Sequence, residues 1–392
     1  MNIVRILLVI ISCLLLFTLP SYAENSQMNQ DEIILRQLNK LDINKVQQEV
    51  NKINKGAGHY LPELNLKTIL LNLVKGNLEL DWKDLLKSII KYLGKEVTAN
   101  LSIMGQIIIL AAISAILNIF HDSFSSTMIS NTSNMLIFMI LAVMVLQSFH
   151  IAIDIGINAV DNIVSFMQAL LPVLLSLLVS MGAFTSAVVF NPLTYLIISL
   201  LGTIVKLIVL PMIFLSTVLC IVTRLNDEFS LSRLAGLFKE ASMGLLGLIL
   251  IIFTGGLLIQ GGAAAVTDSL SLRTAKYLTG TFIPVIGGIF SDAVDLVVSC
   301  SLIIKNALNL FGMIAIIMII AYPIIKLIAL IIIYKLASAL IQPIADARLV
   351  DVLNDVGNSL VFVFLTVSAV SLMFFITLTV IVGAANLTVM MR

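Results

Sequence analysis

Four ionisable residues sit where an apolar chain tolerates them least. Lys206 and Lys326 each interrupt a long apolar run, and Asp292 and Asp295 lie three apart in another. A cation near the middle of a bilayer costs roughly 2.5–3.5 kcal/mol on insertion scales unless something compensates it. Each lysine is close to a proline: Pro211 leaves the carbonyl of Leu207 without its helical partner, and Pro323 does the same to Ile319. A broken helix beside a cation can form a polar site between repeats. A lysine at a kink can equally snorkel to headgroups or pair with a carboxylate, and Asp292 or Asp295 would be the natural partner. The two aspartates fall on one helix face. Paired acids in a membrane would suit proteolysis or ion binding. The glycine-flanked aspartate pattern of intramembrane proteases is missing, however, and a hydrated segment end accounts for the pair.

No other grouping carries chemistry. His59, His121 and His150 are scattered, without metal-ligand spacing and without a cysteine nearby. There is no phosphate-cradling Gly-Lys-Ser/Thr loop, no His-Glu-x-x-His and no Gly-x-Ser-x-Gly. No catalytic residue, cofactor or metal is expected, and the chain is not expected to be an enzyme. A net charge of +1 gives no reason to expect nucleic acid. Cys13, Cys220 and Cys300 all lie in apolar runs, so no disulfide framework is expected.

Composition sets the class. Of 392 residues, 59% are hydrophobic and 11% charged, and the mean hydropathy is +1.10. That is an all-α, polytopic helical membrane protein. Residues 24–99 hold almost half of the charged residues, although 100–392 are nearly four times as many. A small polar domain therefore precedes a long lipid-embedded part.

The elements follow in order. Residues 1–23 read as a signal peptide, with Arg5, an apolar centre and a Ser21-Tyr22-Ala23 cleavage pattern; an uncleaved anchor is the other reading. Either places the following domain, 24–99, outside the cytoplasm. That domain is helical. Asp42 can cap a helix to about Ile53, a second covers 64–74, and a third begins at Trp82. In the third, Trp82, Leu85, Leu86, Ile89, Ile90 and Leu93 form one apolar stripe. The stripe either lies in the membrane interface or packs on its two neighbours. Residues 100–153 supply two transmembrane helices, 101–120 and 135–153, joined by a polar loop.

The remainder reads as two membrane repeats, 154–262 and 263–392, whose related cores run from about 163 to 260 and 282 to 384. The stretch 204–214 returns at 324–334 with Lys206 matching Lys326; Pro172 matches Pro284 and Arg233 matches Arg348. In the first repeat, 163–190 forms one span and 193–222 a run too long for one upright span. In the second, 282–304, which holds Asp292 and Asp295, is the weakest span candidate, and 308–334 forms another. Six or eight spans follow the signal peptide, and the length of 163–190 favours eight with inverted halves. Glycine pairs such as Gly255-Gly256 and Gly261-Gly262 suit close helix packing or a pore lining.

Leu80-Asp81-x-x-x-Leu85-Leu86, the span Ile107-Ile-Ile-Leu-Ala-Ala-Ile-Ser-Ala-Ile-Leu117 and the duplicated lysine-bearing halves together resemble the stage III sporulation protein AE family of endospore-forming bacteria. The resemblance covers essentially the whole chain. It implies a multi-pass protein of the mother-cell membrane around the forespore, with the N-terminal domain in the space between the two membranes. It implies a secretion-like channel built with other proteins of the same operon, among them a separate cytoplasmic ATPase and a ring-forming partner, and allows a homo-oligomer. It supplies no site residues. The alternative function is a secondary transporter with a site between the repeats near Lys206 and Lys326.

Overall fold

The computed structural model describes residues 41, 43–57, 65–74, 82–124, 127–225, 231–282 and 286–390. The expected signal peptide, with Cys13, lies outside them. Residues 41–392 form one compact unit, and among the described residues there is no strand.

Three short helices come first: α1 (Asn44–Ala57), α2 (Leu66–Val74) and α3 (Trp82–Ala99). Asn65 starts α2, its side-chain oxygen accepting the Thr68 N–H at 3.2 Å. Just after α3, the backbone N–H and side-chain amide of Asn100 both donate to the Glu96 carbonyl (3.2 and 2.8 Å). These helices are not a free headpiece. Val46, Val50, Leu66, Leu70 and Tyr92 are buried, because α1 packs on α5 and α9 while α2 and α3 pack on α9.

The long helices are α4 (Leu101–Phe124), α5 (Thr127–Ser180), α6 (Phe184–Ile204), a π-helical segment at Val205–Val209, α7 (Leu210–Leu225), α8 (Ser232–Phe282), α9 (Ile286–Ile341) and α10 (Ala347–Met390). Among the described residues six stretches are long and apolar enough to cross a membrane: Lys87–Ile116, Met135–Ser180, Phe184–Leu225, Ser232–Ser271, Leu296–Ile341 and Ala347–Gly383. The preference for eight spans is therefore corrected, and two features explain it. First, 135–153 and 163–180 are one helix: Asp154 and Asp161, expected in a link, lie inside α5. Second, the expected span 163–190 is cut at Gly182, which adopts φ 81°. There the Ala183 N–H returns to the Leu178 carbonyl (3.0 Å) and the Gly182 N–H to that of Val179 (2.9 Å). Glycine takes this left-handed closing position at little cost. Likewise 282–304 and 308–334 merge into α9, and the glycine-rich stretch after 260, expected as a loop, continues α8 to Phe282.

Cross-helix contacts fix the alignment. Gln168 of α5 donates to the Ser199 hydroxyl of α6 (2.9 Å). A Cβ on Gly312 of α9 would come within 2.8 Å of Leu170 and 3.0 Å of Leu378; one on Gly202 would come within 2.7 Å of Val164. Around these rungs lie five helix stretches without a charged residue: 162–180 of α5, 184–205 of α6, 241–267 of α8, 306–325 of α9 and 356–386 of α10. At 1.5 Å per residue the shortest measures roughly 27 Å, close to hydrocarbon thickness.

Candidate functional site

The two lysines singled out by sequence meet the same part of α5, and there they differ. Lys206 sits in the π-helical segment, where the chain closes a Leu210 N–H to Val205 carbonyl bond instead of an α-helical one. The widened turn comes just before Pro211 and absorbs the proline's missing donor within a continuous rod. Lys206 Nζ donates to Asp161 Oδ1 at 2.6 Å, with the side chains 30% and 46% exposed. The partner is therefore Asp161 on α5, where Asp292 or Asp295 was expected. Those two lie three apart in α9, with their side chains outside the described residues.

Lys326 has no carboxylate within 4 Å among the described residues. Its Nζ lies 4.6 Å from the centre of the Tyr322 ring, a cation held by an electron-rich face. Tyr322 in turn stacks on Tyr92 of α3, centroids 5.6 Å apart, and the Tyr92 hydroxyl donates to Glu96 (2.7 Å). Beside Lys326 is a cavity of about 260 Å³, walled by α1, α5 and α9, with Lys52, Asn158, Asn162 and Tyr322 among its lining residues.

The end of α7 and the first turns of α10 meet at one end of the bundle. Arg224 at the end of α7 reaches Asp351 (2.7 Å) and Asp355 (3.3 Å) in the first turns of α10. Lys335 donates to Asn354 and Asn358 (2.6 and 2.5 Å), and Lys239 of α8 lies 4.3 Å over the Phe362 ring.

Two polar devices escaped the sequence. Lys305, expected in a loop, is fully buried in α9 and donates to Asn386 (2.7 Å) and to the Val382 carbonyl (3.2 Å) of α10. Its signal was the polar series Ser301, Lys305, Asn309 at four-residue spacing in an apolar helix. Asp268 of α8, 1% exposed, accepts the backbone N–H groups of Thr185 and Ser186 (2.7 and 2.8 Å). It thereby caps α6 from another helix, where free amides and the helix dipole favour an anion. Gly182 was the available sign that a helix starts there.

The other candidates stay apart. Gly255, Gly256 and Gly262 face open space, since a Cβ there would meet nothing within 4 Å; they do not bring helices of this chain together. His150 is exposed, 3.6 Å from Asp154; His59 and the side chain of His121 lie outside the described residues. Among the described residues no group of three or more His, Cys, Asp or Glu could hold a metal.

The model of the family described as Stage III sporulation protein AE matches residues 64–385. The Stage III sporulation protein AE of Bacillus subtilis (strain 168) is 37% identical over 369 residues, covering 94% of this chain and 92% of that one. No solved structure matches.

Proposed function

Because this chain belongs to the stage III sporulation protein AE family, we propose that it is a non-enzymatic, multi-pass component of a sporulation channel between mother cell and forespore. It would stand in the mother-cell membrane around the forespore, with α1 and α2 on the extracytoplasmic side. Energy would come from a separate cytoplasmic ATPase of the same operon, and other proteins of that operon would complete the conduit. The observation that carries this reading is the family match, which runs through nearly all of the helical body. The six apolar helices supply the membrane part. The extensive apolar face of α8, with Ile251, Ile252, Leu258 and Ile259 all well exposed, suits lipid or neighbouring subunits.

The test is genetic and biochemical. Deleting the gene should stop forespore development after engulfment, and cross-linking in sporulating cells should join the protein to the operon's other membrane components. Normal spore yield without the gene would overturn the proposal.

The secondary-transporter reading has one observation in its favour, the cavity beside Lys326. The closed Lys206–Asp161 pair counts against it. A transporter variant with Lys326→Leu would assemble fully and lose movement of one solute, whereas a channel scaffold would keep all its traffic or lose its assembly.

A further inference from the structure

The cavity between α1, α5 and α9 is lined by positive charge. Two lysines, Lys52 and Lys326, line it, and among the described residues no Asp or Glu does. Lys52 is already committed to Glu49 at 2.7 Å, and among the described residues Lys326 meets the Tyr322 face and no carboxylate within 4 Å. Asn158 and Asn162 stand four residues apart on α5, so both amides face the cavity side by side. The remaining wall is apolar, from Ile155 and Met318 among others. At about 30 Å³ for each water-sized group, 260 Å³ holds roughly eight heavy atoms.

We propose that this cavity binds a small organic carboxylate, its carboxyl group on Lys326 and the amides of Asn158 and Asn162, its carbon chain against Ile155 and Met318. A cation, paired amide donors and an apolar wall are complementary to such a molecule. A phosphate dianion would leave oxygens facing the hydrocarbon wall unsatisfied. The inference stands apart from the channel role, because a ligand here could serve either a scaffold or a transporter.

Full-length protein purified in detergent would be titrated with butyrate, and with butyramide as its neutral isostere, using saturation-transfer NMR. Butyrate is expected to bind, and butyramide about tenfold more weakly. Lys326→Gln should weaken butyrate about tenfold, while Lys239→Gln, which removes another lysine held over an aromatic ring, should leave it within about twofold. Asn162→Leu removes one amide donor at nearly constant side-chain size and charge and should weaken butyrate about tenfold, which keeps the test valid if Lys326→Gln does not fold. Equal binding of the acid and the amide, insensitivity to both cavity substitutions, or inorganic phosphate binding in place of butyrate would overturn the proposal.

Discussion

The hairpin formed by α6, α7 and α8 and the hairpin formed by α9 and α10 share a lysine in the incoming helix and an arginine just after the turn. They are packed in different ways. Half of the most apolar window in each helix of the second hairpin is buried, against 39% and 28% in the first. Gly312 in the second is clasped by Leu170 and Leu378, whereas Gly255 and Gly256 in the first meet nothing. Lys206 is paired; Lys326 is not. Matching sequence positions therefore fix where a charge or glycine falls along a rod. What that position faces depends on which neighbour the rod packs against.

The contrast can be broken most severely at Gly312. Gly312→Leu should destabilise the bundle by about 1–3 kcal/mol or more through overpacking against two fully buried leucines, seen as a lowered unfolding midpoint in detergent. Next comes Asp268→Ala, which leaves two buried amides of α6 without an acceptor and should cost about 1–3 kcal/mol, with Asp268→Asn recovering part of the loss in the same assay. Smaller is the Lys206–Asp161 pair. Because both side chains are partly exposed, a double-mutant cycle with Leu at each position should return a coupling of about 0.2–1 kcal/mol, and exchanging the two charges should restore most of it. Smallest is Gly256→Leu, expected within about 0.5 kcal/mol; a large drop would mean the first hairpin's outer face is closed in the isolated protein.

Helix content, the family and the starts of α1 to α3 were legible in the chain because apolar periodicity and caps are local signals. Helix ends within the apolar part were not. Asp154 and Asp161 look like a link because charge usually marks a loop, but both lie inside α5, where Asp161 meets Lys206 and Asp154 stays exposed beside His150. Gly182, a single residue in an apolar run, outweighed the length of 163–190. Partner choice was illegible for a related reason. Asp292 and Asp295 are near Lys326 in sequence, but Asp161 reaches Lys206 only through the packing of α5 on α6. Lys305 went unseen because its neutral partners on α10 are some eighty residues away.

The helix α10 is fastened at both ends, by Asp351 and Asp355 to Arg224 and by Asn386 to Lys305. No proline interrupts it. The charge-free length between these fastenings is roughly 46 Å at 1.5 Å per residue, against about 30 Å of hydrocarbon. Such a strut has no freedom to shorten its greasy portion by sliding or bending. A surrounding membrane must thicken locally, or accept the strut leaning, so the protein dictates the bilayer's shape at its own perimeter.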